Sequence, residues 1–297
     1  MPARKLRILH CPENIGSNAQ MIAHAERELG LDSHCITFTS HPFGYEADEV
    51  LMRSGGSKLA LEWHRWHLLW RALRDFDVIH FNFGQTLMPP APGPHPNYPL
   101  LVRIAYNAYS GLFHLRDLNI LKRFGKGIVI SYQGDDVRQG DFCRANYEIT
   151  FATEVEPWYY TPESDAAKRR DTAYIARYAD RMYALSPDLL HFLPKTAVFI
   201  PICPVDLRTW RPVPVSADPN RPIKLVHAPS HRGVKGTRYI LDAVERLKSD
   251  NIPIELVLIE KMQHAEARHH YEQADLLVDQ LLAGYYGGLA VELMALG

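Results

Sequence analysis

The stretch Leu225–Leu247, LVHAPSHRGVKGTRYILDAVERL, decides the fold. An apolar run, Ile223, Leu225 and Val226, leads into a short loop holding His231, Arg232, Gly233 and Lys235, and then into a segment of helical periodicity. There Tyr239, Ile240, Ala243, Val244 and Leu247 share one face by the i, i+3, i+4 rule, while Arg238, Asp242, Glu245 and Arg246 take the other. Strand, cationic loop and helix in that order place the N-terminus of the helix at the carboxyl edge of a sheet. Free N–H groups and the positive end of the macrodipole favour an anion there, and Arg232 and Lys235 add two formal charges. Gly233 and Gly236 have no Cβ to keep a ligand from the backbone. The pattern suits a diphosphate, and it equally suits an ordinary strand-to-helix turn with solvated basic residues.

The same alternation opens the chain. Leu6–His10 reads as a strand, Cys11–Asn18 as a loop containing Gly16, Ala19–Leu29 as a helix closed by Gly30, and Ser33–Phe38 as a second strand. That is the order of a doubly wound α/β unit. The loop is not G-x-G-x-x-G, so the nicotinamide-dinucleotide fingerprint is missing. Asp77–Gly84, DVIHFNFG, reads as a buried parallel strand, with His80 and Asn82 either lining a cleft or satisfying backbone groups at the strand end. Gly125–Tyr132 is another strand and runs into Gln133-Gly134-Asp135-Asp136-Val137-Arg138. Two adjacent acids at a strand end need a partner, for which Arg138, Arg144 or a sugar hydroxyl are candidates.

Pro89–Pro99 must be a loop and 100–124 mostly helix; 166–179 is a helix, 181–185 a short strand, and TAVFIPIC within 192–204 is strand-like. Pro212, Pro214, Pro219 and Pro222 mark residues 205–222 as a linker between a first domain, 1–204, and a second, 223–297. The second continues with a strand over 252–259, a helix over 263–273, a strand over 274–278, and a glycine loop at Gly284–Gly288 leading into a last helix. Three strands, where a doubly wound domain carries about five or six, make the second domain an incomplete one by expectation.

With 297 residues, 46% hydrophobic and 23% charged, the chain has the composition of a folded protein of two domains rather than a disordered one. A net charge of -1 argues against a nucleic-acid partner. Cys11, Cys35, Cys143 and Cys203 form no CxxC pair and read as reduced thiols in or near the core, in keeping with a cytoplasmic protein. No signal peptide and no bilayer-length apolar run is visible. The helical segment 59–73 holds Trp63, Trp66 and Trp70 with His64 and His67. The histidines suit core packing or a wet helix face better than a metal, having no third ligand nearby. The tryptophans, with Arg65, Arg71 and Arg74, could rest on an anionic membrane surface, making peripheral contact with its inner face, or on a partner.

On these residues the chain resembles the retaining GT-B glycosyltransferases, specifically the large family-four group, over nearly its whole length and most strongly over 224–297. The resemblance implies two Rossmann-like domains facing a cleft, a nucleotide-sugar donor on the second, a glycan or lipid-linked acceptor on the first, and no metal or other cofactor. Arg232 and Lys235, followed by Gly236, match the pair that holds the donor diphosphate, and so take the catalytic role of stabilising the leaving group. Ala274–Gln280 looks like the strand before the donor loop that carries Gly287. Glu292 with Leu293, Met294, Ala295 and Gly297 is similar to the E-A-M-A-x-G segment, whose glutamate binds the ribose through two hydrogen bonds. Gly16 matches the first-domain glycine loop. Gln133-Gly134-Asp135-Asp136 stands in the place of an H-G-x-D motif, with Gln133 and Asp135 on the donor side, and His80 and Asn82 fall on the acceptor side. Two positions depart from the pattern: Gly284 replaces a glutamate eight residues before Glu292, and Gln133 replaces a histidine. The implied activity is hexosyl transfer from a UDP- or GDP-sugar with retention. A non-catalytic protein that binds a nucleotide-sugar or glycan is the alternative, and a sugar-nucleotide epimerase a third.

Overall fold

Two parallel sheets carry the chain in the computed structural model, which describes residues 4–52, 55–91, 99–202, 205–214 and 221–297. Cys203, Pro219 and most of the proline-rich stretch 89–99 lie outside the described residues. The first sheet is built from β1 (Arg7–Cys11), β2 (Asp32–Thr39), β3 (Glu49–Met52), β4 (Val78–Asn82), β5 (Gly127–Tyr132), β6 (Arg181–Ala184) and β7 (Val198–Phe199), in the order β3-β2-β1-β4-β5-β6-β7. Its helices are α1 (Asn18–Glu28), α2 (Lys58–Asp75), α3 (Leu100–Phe113), α4 (Arg116–Arg123), α5 (Gly140–Asn146) and α6 (Pro162–Ile175). The second sheet contains β8 (Ile223–His227), β9 (Ile254–Leu258) and β10 (Leu276–Leu277) in the order β10-β8-β9, with α7 (Arg232–Lys235), α8 (Thr237–Ser249), α9 (His264–Tyr271) and α10 (Gly288–Leu296) around it.

Apolar strand residues explain both layers. Leu9, Ile79, Phe81, Ile128 and Ile130 are buried against Leu68, Leu69 and Ala72 of α2, Leu118 and Leu121 of α4, and Ile175 of α6. In the second sheet Leu225 packs with Ile240 and Val244 of α8, as their spacing predicts, and Val226 is buried on the other side with Trp210, Ala267, Tyr271 and Leu296. Residues 205–214, expected as a linker, hold no helix or strand, yet they are docked: Trp210 is buried, and Val213 N–H donates to the Leu296 carbonyl. Cys11, Cys35 and Cys143 are free and buried. No described helix is long and apolar enough to cross a membrane.

Several elements differ from the expectation. The edge strand β3 was not foreseen. The segment 100–124 breaks at Leu115, whose φ of 58° ends one helix and starts the next. The strand expected in 192–204 shrinks to two residues before Pro201, which cannot donate to a ladder. A small apolar cluster, Cys143, Phe151, Ala152 and Tyr160 with Val234 and Leu282, joins a first-domain excursion to the loops of the second.

Candidate functional site

In each sheet the strand order reverses at the middle, which opens a crevice beyond the carboxyl ends of the strands. The two crevices face each other across a cavity of about 420 Å³. From the first domain it is lined by Gly16 after β1, Phe83 after β4, and Gln133 and Asp135 after β5. From the second come Ser230 after β8, Lys261 after β9, Asp279 and Gln280 after β10, then Gly287 and Glu292 at α10, with Lys235 of α7. Parallel strands thus deliver the segments that follow six of them to one space.

Of the two lysines on the second domain's wall, Lys261 is exposed and Lys235 is partly buried. Its Nζ lies 2.8 Å from Asp279 Oδ1 and 2.6 Å from Gln280 Oε1, and both members of the ion pair are largely buried. Asp279 Oδ2 also accepts the Gly287 N–H at 2.5 Å, so a single carboxylate ties the lysine to the glycine loop. Glu292 is buried in α10 and accepts from His264 Nε2 at 2.8 Å. The first domain reaches this pair: Tyr45 lies against the His264 ring, and the Phe43 carbonyl accepts the His264 N–H. Burial and the Glu292 carboxylate push the Tyr45 hydroxyl up to about 12, so it stays protonated at neutral pH.

Gln133 lines the cavity, and its buried Nε2 has no hydrogen-bond partner among the described residues. Of the partners expected for the two adjacent acids, Arg138 stands 3.9 Å from Asp135 Oδ1, and the remaining contacts come from tyrosines and backbone. Asp135 accepts from the Tyr159 hydroxyl at 2.6 Å and from the Tyr160 hydroxyl, and burial together with that carboxylate raises both phenols. Asp136 accepts the Gln133 and Gly134 N–H groups, and burial lifts its pKa to about 6. Arg138 pairs with Asp188 at 2.8 Å, and Arg144 donates to the Ala152 carbonyl.

Four of the residues named from sequence are not on the cavity wall. Arg232 is exposed and makes two bonds to Glu260, at 2.8 and 2.6 Å, which raise its pKa further and lower that of Glu260. Gly236 adopts φ 73° and closes α7, with Leu281 and Leu282 over it, so the mouth of α8 is covered by a loop rather than open to the cavity. His80 is buried, bonds Ser131 Oγ at 2.6 Å and lies 4.8 Å from the His10 ring; burial drops its pKa well below the usual value and keeps it neutral. Asn82 is buried and donates to the His80 carbonyl. Two glycines serve contact between domains: a Cβ on Gly233 would lie 2.3 Å from the Glu154 carbonyl oxygen, and one on Gly284 would lie 2.9 Å from Asp188 Cβ. Gly284 therefore has no room for the carboxylate that the resemblance expects there.

Sequence reasoning passed over Asp279, Gln280 and His264. Asp279 carried the signal already used for Asp135, an acid at the end of an apolar run. Among the described residues no three His, Cys, Asp or Glu side chains are grouped to hold a metal, and His67 lies stacked on Trp63.

No protein-family model matches the chain, and no curated protein matches it in sequence. Among solved structures it is similar to an alpha-glucosyltransferase in complex with UDP and a 13-mer DNA containing a central A:G mismatch. The match has a TM-score of 0.52 at 11% identity and covers 99% of this chain and 77% of the other. At that identity the likeness is one of fold: two Rossmann-like domains facing a cleft, the GT-B arrangement.

Proposed function

We propose that this protein is a glycosyltransferase that moves a hexosyl group from a UDP- or GDP-sugar to a glycan or lipid-linked acceptor, with retention of configuration. The observation that carries the reading is the meeting of Lys235 and Glu292, from the second domain, with Gly16 and Gln133, from the first, on one cavity. The fold-level likeness to a transferase bound to UDP supports it. The DNA of that complex is not carried over, because a net charge of -1 gives no general attraction to phosphate backbones.

Each group has a task. Lys235 takes the donor diphosphate, Glu292 accepts from the ribose diol, and the unpartnered Gln133 amide donates to a sugar hydroxyl. As the glycosidic C–O bond breaks, negative charge grows on the diphosphate, and an ammonium already held at the wall stabilises it more than it stabilises the ground state. Asp279 and Gln280 fix that ammonium in position. Arg232 is the weaker cation, since it must leave Glu260 to reach the donor. His80 and Asn82 act beneath the acceptor side by holding the end of β4.

A second reading, a protein that binds a nucleotide-sugar without transferring it, is favoured by Gly284, which leaves no room for a carboxylate beside Asp188. Incubation with a panel of UDP- and GDP-sugars, with and without glycan and lipid-linked acceptors, separates the two. Acceptor-dependent release of nucleoside diphosphate supports transfer; saturable binding with no release in any combination rejects it in favour of binding alone.

A further inference from the structure

The helix pair α2–α3 turns apolar side chains to solvent. On α3, Leu101, Ile104, Ala105, Ala108 and Leu112 follow helical spacing and are all exposed, while the side facing the protein holds Tyr106, Ser110 and Phe113. Leu101 is 79% exposed, Ile104 56% and Leu112 62%. α2 buries Leu68, Leu69 and Ala72, yet it shows a second stripe to solvent: Leu59, Trp63, Trp66 and Trp70, at i, i+4, i+7 and i+11. The stripes adjoin at a seam where Trp66 Nε1 donates to Tyr109 Oη at 2.9 Å and its ring meets Phe113 edge-on. An apolar surface formed by two helices needs an occupant.

Charge and residue type say which. The only charged residue in α3 is Arg103. On α2 the acids are engaged: Glu62 accepts from Tyr106 and Arg65, and Asp75 is held by Arg74, whose guanidinium lies 3.9 Å from the Trp70 ring centroid. Lys58 at the near end lies over the Tyr106 ring. Of the arginines read with the tryptophans, Arg65 is buried, Arg71 is bound to Glu49 and Arg74 to Asp75 while covering Trp70, and Lys58 and Arg103 add positive charge at the edge of the patch. Exposed aliphatics, tryptophans and a tyrosine with polar tips, and a cationic fringe make the composition of a helix pair lying in the headgroup plane of an anionic membrane.

We propose that the α2–α3 face docks the protein onto an anionic lipid bilayer, with the α3 stripe in the acyl boundary and the α2 tryptophans at headgroup level. The proposal stands apart from the transfer reaction, because vesicle binding is scored without donor or acceptor. The test is flotation of the full chain with phosphatidylcholine vesicles that contain or lack phosphatidylglycerol, alongside a Leu101→Glu/Ile104→Glu double variant. Both positions are exposed, so far-UV circular dichroism should be unchanged. The expected result is binding to the anionic vesicles that weakens with added salt and falls about tenfold or more in the double variant. Absence of wild-type flotation with anionic vesicles overturns the proposal, as does flotation that the double variant retains. A wild-type dimer that the variant disperses, without lipid binding, would assign the face to a second copy of the chain and overturn it equally.

Discussion

Lys235 sits in a pairing that makes its removal ambiguous. Truncating it to alanine deletes the cation proposed to meet a diphosphate, and it also strands Asp279, a carboxylate with only 8% of its side chain exposed. Breaking a buried pair from one side costs about 3 kcal/mol or more, whereas removing both charges costs far less. Lys235→Ala should therefore lower the urea midpoint clearly, and Lys235→Gln combined with Asp279→Asn should recover most of the loss while keeping bonds to Gln280 and Gly287. A double variant no more stable than the single one would show that the pair does not govern the fold of this wall. At the same scale the sequence was an incomplete guide. Spacing placed Lys235 and Arg232 three residues apart before a helix, but not which side of a one-turn helix each would take. Val234, buried across the domain contact, turns the Lys235 side chain to the cavity and leaves Arg232 outside.

Elements explain the polar groups that carry no ligand role. Asp117 caps the return after β4: its Oδ2 accepts the Leu87 N–H at 2.7 Å, and burial lifts its pKa to about 6. A carboxyl whose folded pKa lies above its unfolded value of about 3.9 binds protons more tightly when folded. Its contribution to stability is then fully present below about pH 4 and is lost as the pH rises through 6. Two units correspond to about 3 kcal/mol. Asp117→Asn removes this dependence, so the stability of wild type relative to the variant should fall between pH 4 and pH 7.5, measured by urea unfolding at each pH. A difference that is constant or grows with pH would refute the assignment. The strands with long apolar runs, β1, β4, β5 and β8, were legible because every residue of a buried parallel strand is apolar or satisfied. β3, four residues long, and β7, two, were not, because edge strands this short leave no periodic signal. The excursion at 140–161 was equally opaque, since what it packs on, Val234 and Leu282, is distant in sequence.

At the scale of the whole molecule the cleft exists because two sheets present their carboxyl edges to each other and are held there. The Phe43 backbone reaches His264, Glu154 meets Arg238 and Tyr239, and Gly233 and Gly284 admit the opposite domain at distances no side chain would allow. Local patterns pointed to Lys235 and Glu292, but their meeting with Gly16 and Gln133 on one cavity comes only from that arrangement. The most direct test is calorimetric titration of UDP and GDP into the wild-type chain and into Lys235→Gln/Asp279→Asn. The expected result is that one diphosphate binds the wild type, that the matching nucleoside without phosphates binds far more weakly, and that the double variant loses at least tenfold in affinity with its unfolding midpoint retained. Equal affinity of the folded double variant for the diphosphate, or no binding of either nucleotide to the wild type, would contradict a cleft built to hold a departing diphosphate at Lys235.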